Sequence, residues 1–536
     1  MSDDDGWGGL YASAAPVPDS FDPDVLKDSA PAPVERTAAE RTRSGPSQAT
    51  ELVQLARSRY TVVRSEGNVY AVANDLPGVA FGLRGTAGLR QRLAADFYND
   101  RGRAASGAAL ADAIGTLEGD ALRADERKVH LRAGRAGSAV VIDRATANGA
   151  AVQIDEKGWR LIATAPVLFR RTSLSLELDA PTVGGTLDGL RGLLNVDDSR
   201  FRLIVAYIVA AYLPDIAHPI LALLGQQGSA KSSAARVILS FIDPSAGGGL
   251  RSQPSKPEDW RALAANSYGI GIDNVSRMPG WFQDALCRAV TGDAWVHRAL
   301  FTDNDIAVSS FRRPIVLTSI DPGALQGDVA DRMIPVELDP ISPTQRRTEA
   351  ELELELERIR ATTLGALLGL LSKVLKTLPA VELAEKPRMA DFATVLAAVD
   401  QVTGWSTLSD YLAATNSAAR DVVDADVFTT AVRNLALERG LWSGTCLDLL
   451  STLAESRQGH AWPDTAKAAS GILKRMAPSL RAAGVEVTRS EQRSNRGAIY
   501  VIRYADAPRC AVCGVNLPEA IIRDGANTHP TCEEPF

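Results

Sequence analysis

The segment that most constrains this chain runs from Pro219 to Phe241. An apolar run, Ile220 to Leu224, leads into Gly225, Gln226, Gln227, Gly228, Ser229, Ala230, Lys231, Ser232 and Ser233, and a helical period follows to Phe241. A short apolar run of this kind reads as a strand buried on both faces, the kind found in parallel sheets covered by helices. A loop of small residues that enters a helix at Lys-Ser turns its backbone N–H groups toward one point, where the helix N-terminus adds partial positive charge. That is the setting of a phosphate-binding loop. In it Lys231 reaches the β- and γ-phosphate oxygens, the Ser232 hydroxyl binds Mg²⁺, and ATP with Mg²⁺ is the implied ligand. The common pattern has glycine before the lysine. Ala230 stands there instead and is expected to keep a negative φ, with Gly228 supplying flexibility. The alternative is an ordinary glycine-rich turn between a strand and a helix.

Such a loop needs an acidic strand end for the metal. Tyr268 to Ile272 reads as a second apolar strand closing on Asp273 and Asn274, and Asp273 is placed to hold Mg²⁺ through water. Ring-type ATPases usually follow that aspartate with a glutamate that activates the attacking water. Here the position is Asn274. Either Asp284 or Asp293 serves instead, Asn274 orients the water, or hydrolysis is slow. A third strand, Pro314 to Ser319, ends in Thr318 and Ser319, which suit a sensor of the γ-phosphate. Arg332 follows Asp328 and Asp331 and has two readings: an arginine finger acting on a neighbouring subunit's nucleotide, or an ion-pair partner of one of those aspartates.

Composition sets the frame around this unit. The chain has 536 residues, 45% hydrophobic and 23% charged, with a net charge of −7, which excludes disordered, collagenous and disulfide-stapled classes. The 48 Arg against 10 Lys read first as coding bias. No signal peptide is visible behind the acidic opening. The most apolar stretch, Leu203 to Leu213, is too short to span a bilayer, which needs roughly 20 residues. A soluble, cytoplasmic protein with no membrane partner is expected.

The expected organisation is a disordered leader over 1–50, an α+β accessory domain over 51–185, and a P-loop core over 186–343. A helical lid follows over 344–440, opening on Arg346 and Arg347, then a winged-helix domain over 441–505 and a tail over 506–536. The fold class is multidomain α/β. In the winged segment, Trp462, Pro463 and Asp464 are expected to cap a helix carrying Lys467, Lys474, Arg475 and Arg481. The wing adds Arg489, Arg493 and Arg496, the type of residue that contacts DNA phosphates. In the tail, Cys510, Cys513, His529 and Cys532 form two short-spaced pairs that match a closed, structural Zn²⁺ site. Cys287 and Cys446 read as core residues.

The order of residues after Asp273 resembles a known family. Val275-Ser, Trp281 to Arg288, Thr291-Gly-Asp293 and Arg298 to Asp303 are similar to the ring ATPases of phage and mobile-element replication. Their AAA+ core is related to superfamily 3 helicases and poxvirus-type primase-helicases. Pro387 to Phe392 looks like the helical-domain signature of actinobacterial phage members. The resemblance covers about 190–435. It implies an AAA+ core, an ATP-driven motor encircling DNA as a hexamer, and nucleotide-site roles for Lys231, Ser232, Asp273 and Arg332. A separate primase or polymerase is a further partner. One departure stands out: the hairpin tip before the sensor strand is Asp303-Asn304-Asp305, acidic where the family has a DNA-gripping base. His297, Arg298, Arg312 and Arg313 flank it, and those arginines are expected to pair with the acidic turn. The leading expectation is an ATP-dependent, helicase-like motor. The alternative is a DNA-binding scaffold whose nucleotide site switches with little or no hydrolysis.

Overall fold

The computed structural model describes residues 46–85, 88–293, 295–298, 306–309, 311–320, 327–457, 462–494 and 497–504. Residues 1–45, the acidic turn at 303–305, Arg496, and the cysteines and histidine proposed for zinc lie outside the described residues.

The described residues begin inside the span expected as the leader. The Ser47 hydroxyl accepts the Thr50 N–H at 3.2 Å and caps α1 (Gln48–Arg59). The strands β1 (Tyr60–Ser65) and β2 (Asn68–Ala73) form the anticipated hairpin, turning through Glu66 and Gly67, both at positive φ. Strand β3 (Ala80–Gly82) completes the sheet, and α2 (Leu89–Arg101) and α3 (Gly107–Asp120) cover it. Leu52, Leu89, Leu93, Phe97 and Ile114 give this unit a core of its own.

The next strands do not belong to that core. After β4 (Val129–His130) come β5 (Ala133–Ala136), β6 (Ala139–Asp143), β7 (Ala151–Asp155) and β8 (Gly158–Ile162), an antiparallel sheet in chain order, then β9 (Leu168–Phe169) beside β4. Val140, Ile142, Val152 and Ile154 share one continuous core with the central sheet that follows. The buried Arg132 binds across the two parts, pairing with Asp243 at 2.7 Å and donating to the Asp143 carbonyl at 3.0 Å. The division at residue 185 expected from sequence therefore falls within a single core.

Two helices, α4 (Asp188–Leu193) and α5 (Asp198–Ala211), precede the central sheet. The apolar run from Leu203 to Leu213 is buried throughout. Its tyrosines reach buried carbonyls: the Tyr207 hydroxyl donates to Ile315 at 2.8 Å. The sheet strand β10 (Ile220–Leu224) leads to α6 (Lys231–Ile242), then β11 (Leu250–Ser252), α7 (Pro257–Asn266), β12 (Ile270–Asp273) and α8 (Gly280–Thr291). A hairpin, β13 (Trp295–Arg298) with β14 (Ile306–Ser309), precedes β15 (Ile315–Ser319), and a 3₁₀ turn, Gly327–Arg332, precedes β16 (Met333–Glu337). The central sheet is parallel in all its pairs, in the order β11-β12-β15-β10-β16.

The segment expected as a helical lid begins with α9 (Glu349–Thr377), opened by a capping box in which Thr348 and Glu351 satisfy each other's backbone N–H groups. By length and composition alone this helix is long and apolar enough to cross a membrane. In the fold Leu364, Leu367, Leu368, Leu371 and Val374 are buried, and the helix packs on β7 and β8. Gly365 is required there, because an added Cβ would stand 1.8 Å from the Thr182 carbonyl oxygen. Then follow α10 (Ala390–Thr403), α11 (Thr407–Ala425) and α12 (Val427–Arg439).

The C-terminal unit is β17 (Leu441–Thr445), α13 (Cys446–Thr452), α14 (Ala466–Ala482), β18 (Val485–Ser494) and β19 (Gly497–Tyr504), with β19 between the other two strands. Sequence reading found its helices and last two strands but not β17. The cap of α14 also differs: Thr465 accepts the Ala468 N–H at 3.2 Å, while Asp464 pairs with Arg457. Trp462 is buried, edge-on to Phe428. The core of this unit takes in Ala330 from the 3₁₀ turn and Val422 and Val423 from α11.

Candidate nucleotide site

The central sheet aligns three strand ends. Leu224 of β10 lies beside Ser319 of β15, and Ile272 of β12 beside Leu317. The loop after β10 therefore emerges next to Asp273 and Thr318. Strand ends of a parallel sheet that point one way are where such folds place ligands.

The side chains interlock. The Ser232 hydroxyl donates to Asp273 Oδ1 at 2.8 Å, and the Thr318 hydroxyl donates to the same oxygen at 2.6 Å. The Asn274 N–H donates to Thr318 Oγ1 at 2.8 Å. Lys231 Nζ donates to the carbonyls of Gly225 and Gln226, both at 2.8 Å. Partial burial lowers the Lys231 amine, and the nearby Asp273 opposes that shift. Ser229 is buried and donates back to Gln226 at 2.9 Å, closing the loop, while Gln226, Gln227 and Gly228 are exposed and Ser233 is half-buried on the first turn of α6. Of the two residues expected to sense the γ-phosphate, Thr318 donates to Asp273, and Ser319 is fully buried and donates to the Val275 carbonyl at 2.6 Å.

Ala230 differs from expectation. Its φ is +61°, in the left-handed region, and not negative. The loop needs this conformation to present α6 N-terminus first, and alanine adopts it at a cost of about 1–2 kcal/mol. Glycine there relieves the strain but loosens the unfolded chain. The Ala230→Gly variant is expected to gain about 0.5–1 kcal/mol in chemical denaturation. A variant no more stable than the parent contradicts this.

Asp293, one candidate for activating water, sits beyond the end of α8 and accepts from the Thr291 hydroxyl at 2.8 Å. Asp284 is exposed on α8. Asn274 holds φ +53°, and its side chain is exposed at the mouth of the site.

Arg332 lies at the opposite end of the strands from the loop, just before β16. Met333 pairs with Ile220 at the start of β10, whereas the loop leaves after Leu224. The strand from Ile220 to Leu224 rises about 13 Å, so Arg332 is out of reach of its own loop. Its guanidinium donates to Cys287 Sγ at 3.6 Å, and the preceding Asp331 pairs with Arg388 at 3.0 Å. Cys287 is thus half-buried against an arginine, while Cys446 is buried and its thiol is pushed up by burial.

Beside the loop a cavity of about 450 Å³ opens between β16, the start of α5 and α11, lined by Asp197, Arg200, Gln226, Glu337 and Asp410 among others. Sequence reading had no signal for it, since its walls come from segments far apart in the chain.

The basic residues divide. Lys467, Lys474, Arg475 and Arg481 are exposed on α14, opposite the buried Ala469, Leu473 and Leu480, and Arg489 is exposed on β18. Arg493 pairs through its backbone with Ala498. The acidic turn that Arg312 and Arg313 were expected to pair with lies outside the described residues. Arg312 donates to the carbonyls of Thr291 and Asp215, and Arg313 to those of Ala264 and Arg312. Burial lowers the Arg313 guanidinium to about 10.

Residues 187–421 match the family described as actinomycete integrative conjugative element replication protein, and residues 428–511 match the C-terminal domain described for the same replication proteins. No curated protein sequence matches the chain. Among solved structures, the apo form of the NrS-1 C-terminal region is 10% identical, with a TM-score of 0.38, and the match covers 86% of this chain and 100% of that one. A JCV helicase with a bound small molecule is 14% identical, with a TM-score of 0.21, over 41% of this chain and 66% of that one.

Proposed function

From the match of residues 187–421 and 428–511 to the replication proteins of actinomycete integrative conjugative elements, we propose that this chain is an ATP-dependent, helicase-like motor acting on DNA in the replication of such an element. The observation that carries the reading is the meeting of Lys231, Ser232, Asp273 and Thr318 at aligned parallel strand ends.

The residues fit the ligand. A hydroxyl and a carboxylate 2.8 Å apart beside an ammonium form a hard-oxygen pair suited to Mg²⁺. Ser232 and Asp273 would hold the ion, which supplies charge neutralisation on the phosphates. Residues Gly225 to Ser233 would wrap the triphosphate, Lys231 leaving its loop carbonyls for phosphate oxygens. The cavity beside Gln226 would take the base and ribose. Arg332, remote from its own loop, would serve a neighbouring subunit in a homo-oligomeric ring, a hexamer by resemblance. The C-terminal unit would act as an AAA+-appended winged helix, with α14 and β18 on DNA. Cys510, Cys513, His529 and Cys532 would hold a structural zinc. A primase or polymerase would act alongside in the cytoplasm.

Asn274 favours a second reading, in which ATP binding switches a DNA-bound scaffold with little turnover. Strand displacement separates the two. The full chain with ATP and Mg²⁺ is expected to release the short strand of a forked DNA, and to fail without ATP. A protein that binds ATP and DNA yet releases no strand contradicts the motor and leaves the switch.

A further inference from the structure

The sequence around Arg346 holds a cation over the phosphate-binding loop that no motif marks. After β16 the chain turns through a short 3₁₀ segment, Pro343–Gln345, and enters α9 at Thr348. Arg346 lies between them. Its side chain crosses to Gly228: a Cβ built on that glycine would stand 3.1 Å from Arg346 Nη2 and 3.7 Å from its Cζ. Gly228 has φ +84° and sits at the centre of the loop that would wrap the phosphates.

The neighbouring arginines are engaged elsewhere. Arg236 of α6 pairs with Glu349 at 3.1 Å, tying the loop helix to the start of the lid. Arg347 donates to the Gly192 carbonyl at 3.2 Å. Those two contacts, with the capping box at Thr348, fix the backbone on either side of Arg346. Among the described residues Arg346 itself has no ion-pair partner. A guanidinium offers phosphate a planar fork of donors and stays charged at all working pH.

We infer that Arg346 is a further phosphate-binding residue, acting on the nucleotide of its own chain. It contacts the polyphosphate over Gly228 and so links the bound nucleotide to the first turn of α9. The inference rests on the nucleotide reading above, and the two fail differently.

The test is equilibrium binding of ATP with Mg²⁺ to the full chain, to Arg346→Ala, to Arg346→Gln and to Arg347→Ala as the neighbour control. Both Arg346 variants are expected to bind ATP about tenfold more weakly, the loss of a charge-assisted contact. Arg347→Ala is expected to bind as the parent does. If the parent binds ATP and the Arg346 variants bind it equally well, the role of Arg346 is overturned and the loop stands. If the folded parent binds no ATP, both readings fall. Arg346 is exposed, so circular dichroism is expected to show all variants folded as the parent.

Discussion

Lys231→Ala is expected to weaken ATP binding on the order of 100-fold and to bring turnover to background, close to 3 kcal/mol of lost charge-assisted contact. In the structure the Lys231 amine is held by two loop carbonyls, Gly225 and Gln226. The variant loses those contacts as well as the phosphate contact, so the fold must be checked independently. Because the carbonyls lie on an exposed loop, water replaces the amine and the unfolding midpoint should change little. Equilibrium binding of labelled ATP, beside a thermal melt, checks both halves. A variant that binds ATP like the parent removes the loop from the account.

Arg332→Ala is expected to have the other large effect, of a different kind. Its distance from its own loop leaves ATP affinity per chain unchanged, while turnover falls by roughly 10³-fold, the range of an arginine finger supplied in trans. Mixing distinguishes a trans role from a folding defect. Neither Lys231→Ala nor Arg332→Ala is expected to turn over ATP appreciably alone. In the proposed ring, a mixed assembly would contain interfaces that join an intact loop to an intact Arg332, so mixing is expected to restore part of the activity. Two inactive variants that stay inactive when mixed, though they co-assemble, contradict the trans role. The Asp331–Arg388 pair and the burial of Ala330 in the C-terminal core fix the turn that carries Arg332. Arg332 is thus held by the segment that leads into α10 and by the C-terminal unit proposed to touch DNA.

Local features were legible because they are written in neighbouring residues. The strand, loop and helix from Ile220 to Ile242 follow from one apolar run, a cluster of small residues and a helical period. Asp273 and Thr318 were legible as polar ends of apolar strands. Their shared hydrogen bond was not, since it depends on β12 lying beside β15 in a particular register. The sign of φ at Ala230 was hidden because alanine gives no hint of a left-handed turn, and the loop geometry overrides its preference. The sheet of β5 to β8 was readable as strands. That it shares a core with α9 was not, because alternation shows that a face is buried and not what covers it. Arg346 reaches Gly228 across more than a hundred residues of chain, and nothing local marks it. The resemblance to mobile-element replication ATPases agrees with the conjugative-element family that residues 187–421 match.

The most direct measurement is steady-state ATP turnover by the full chain, with and without single-stranded DNA, beside Lys231→Ala. The parent is expected to hydrolyse ATP, faster when DNA is present, and the variant to stay at background in both conditions. Turnover by the parent that equals the variant's, with and without DNA, would contradict the proposal of an ATP-driven motor.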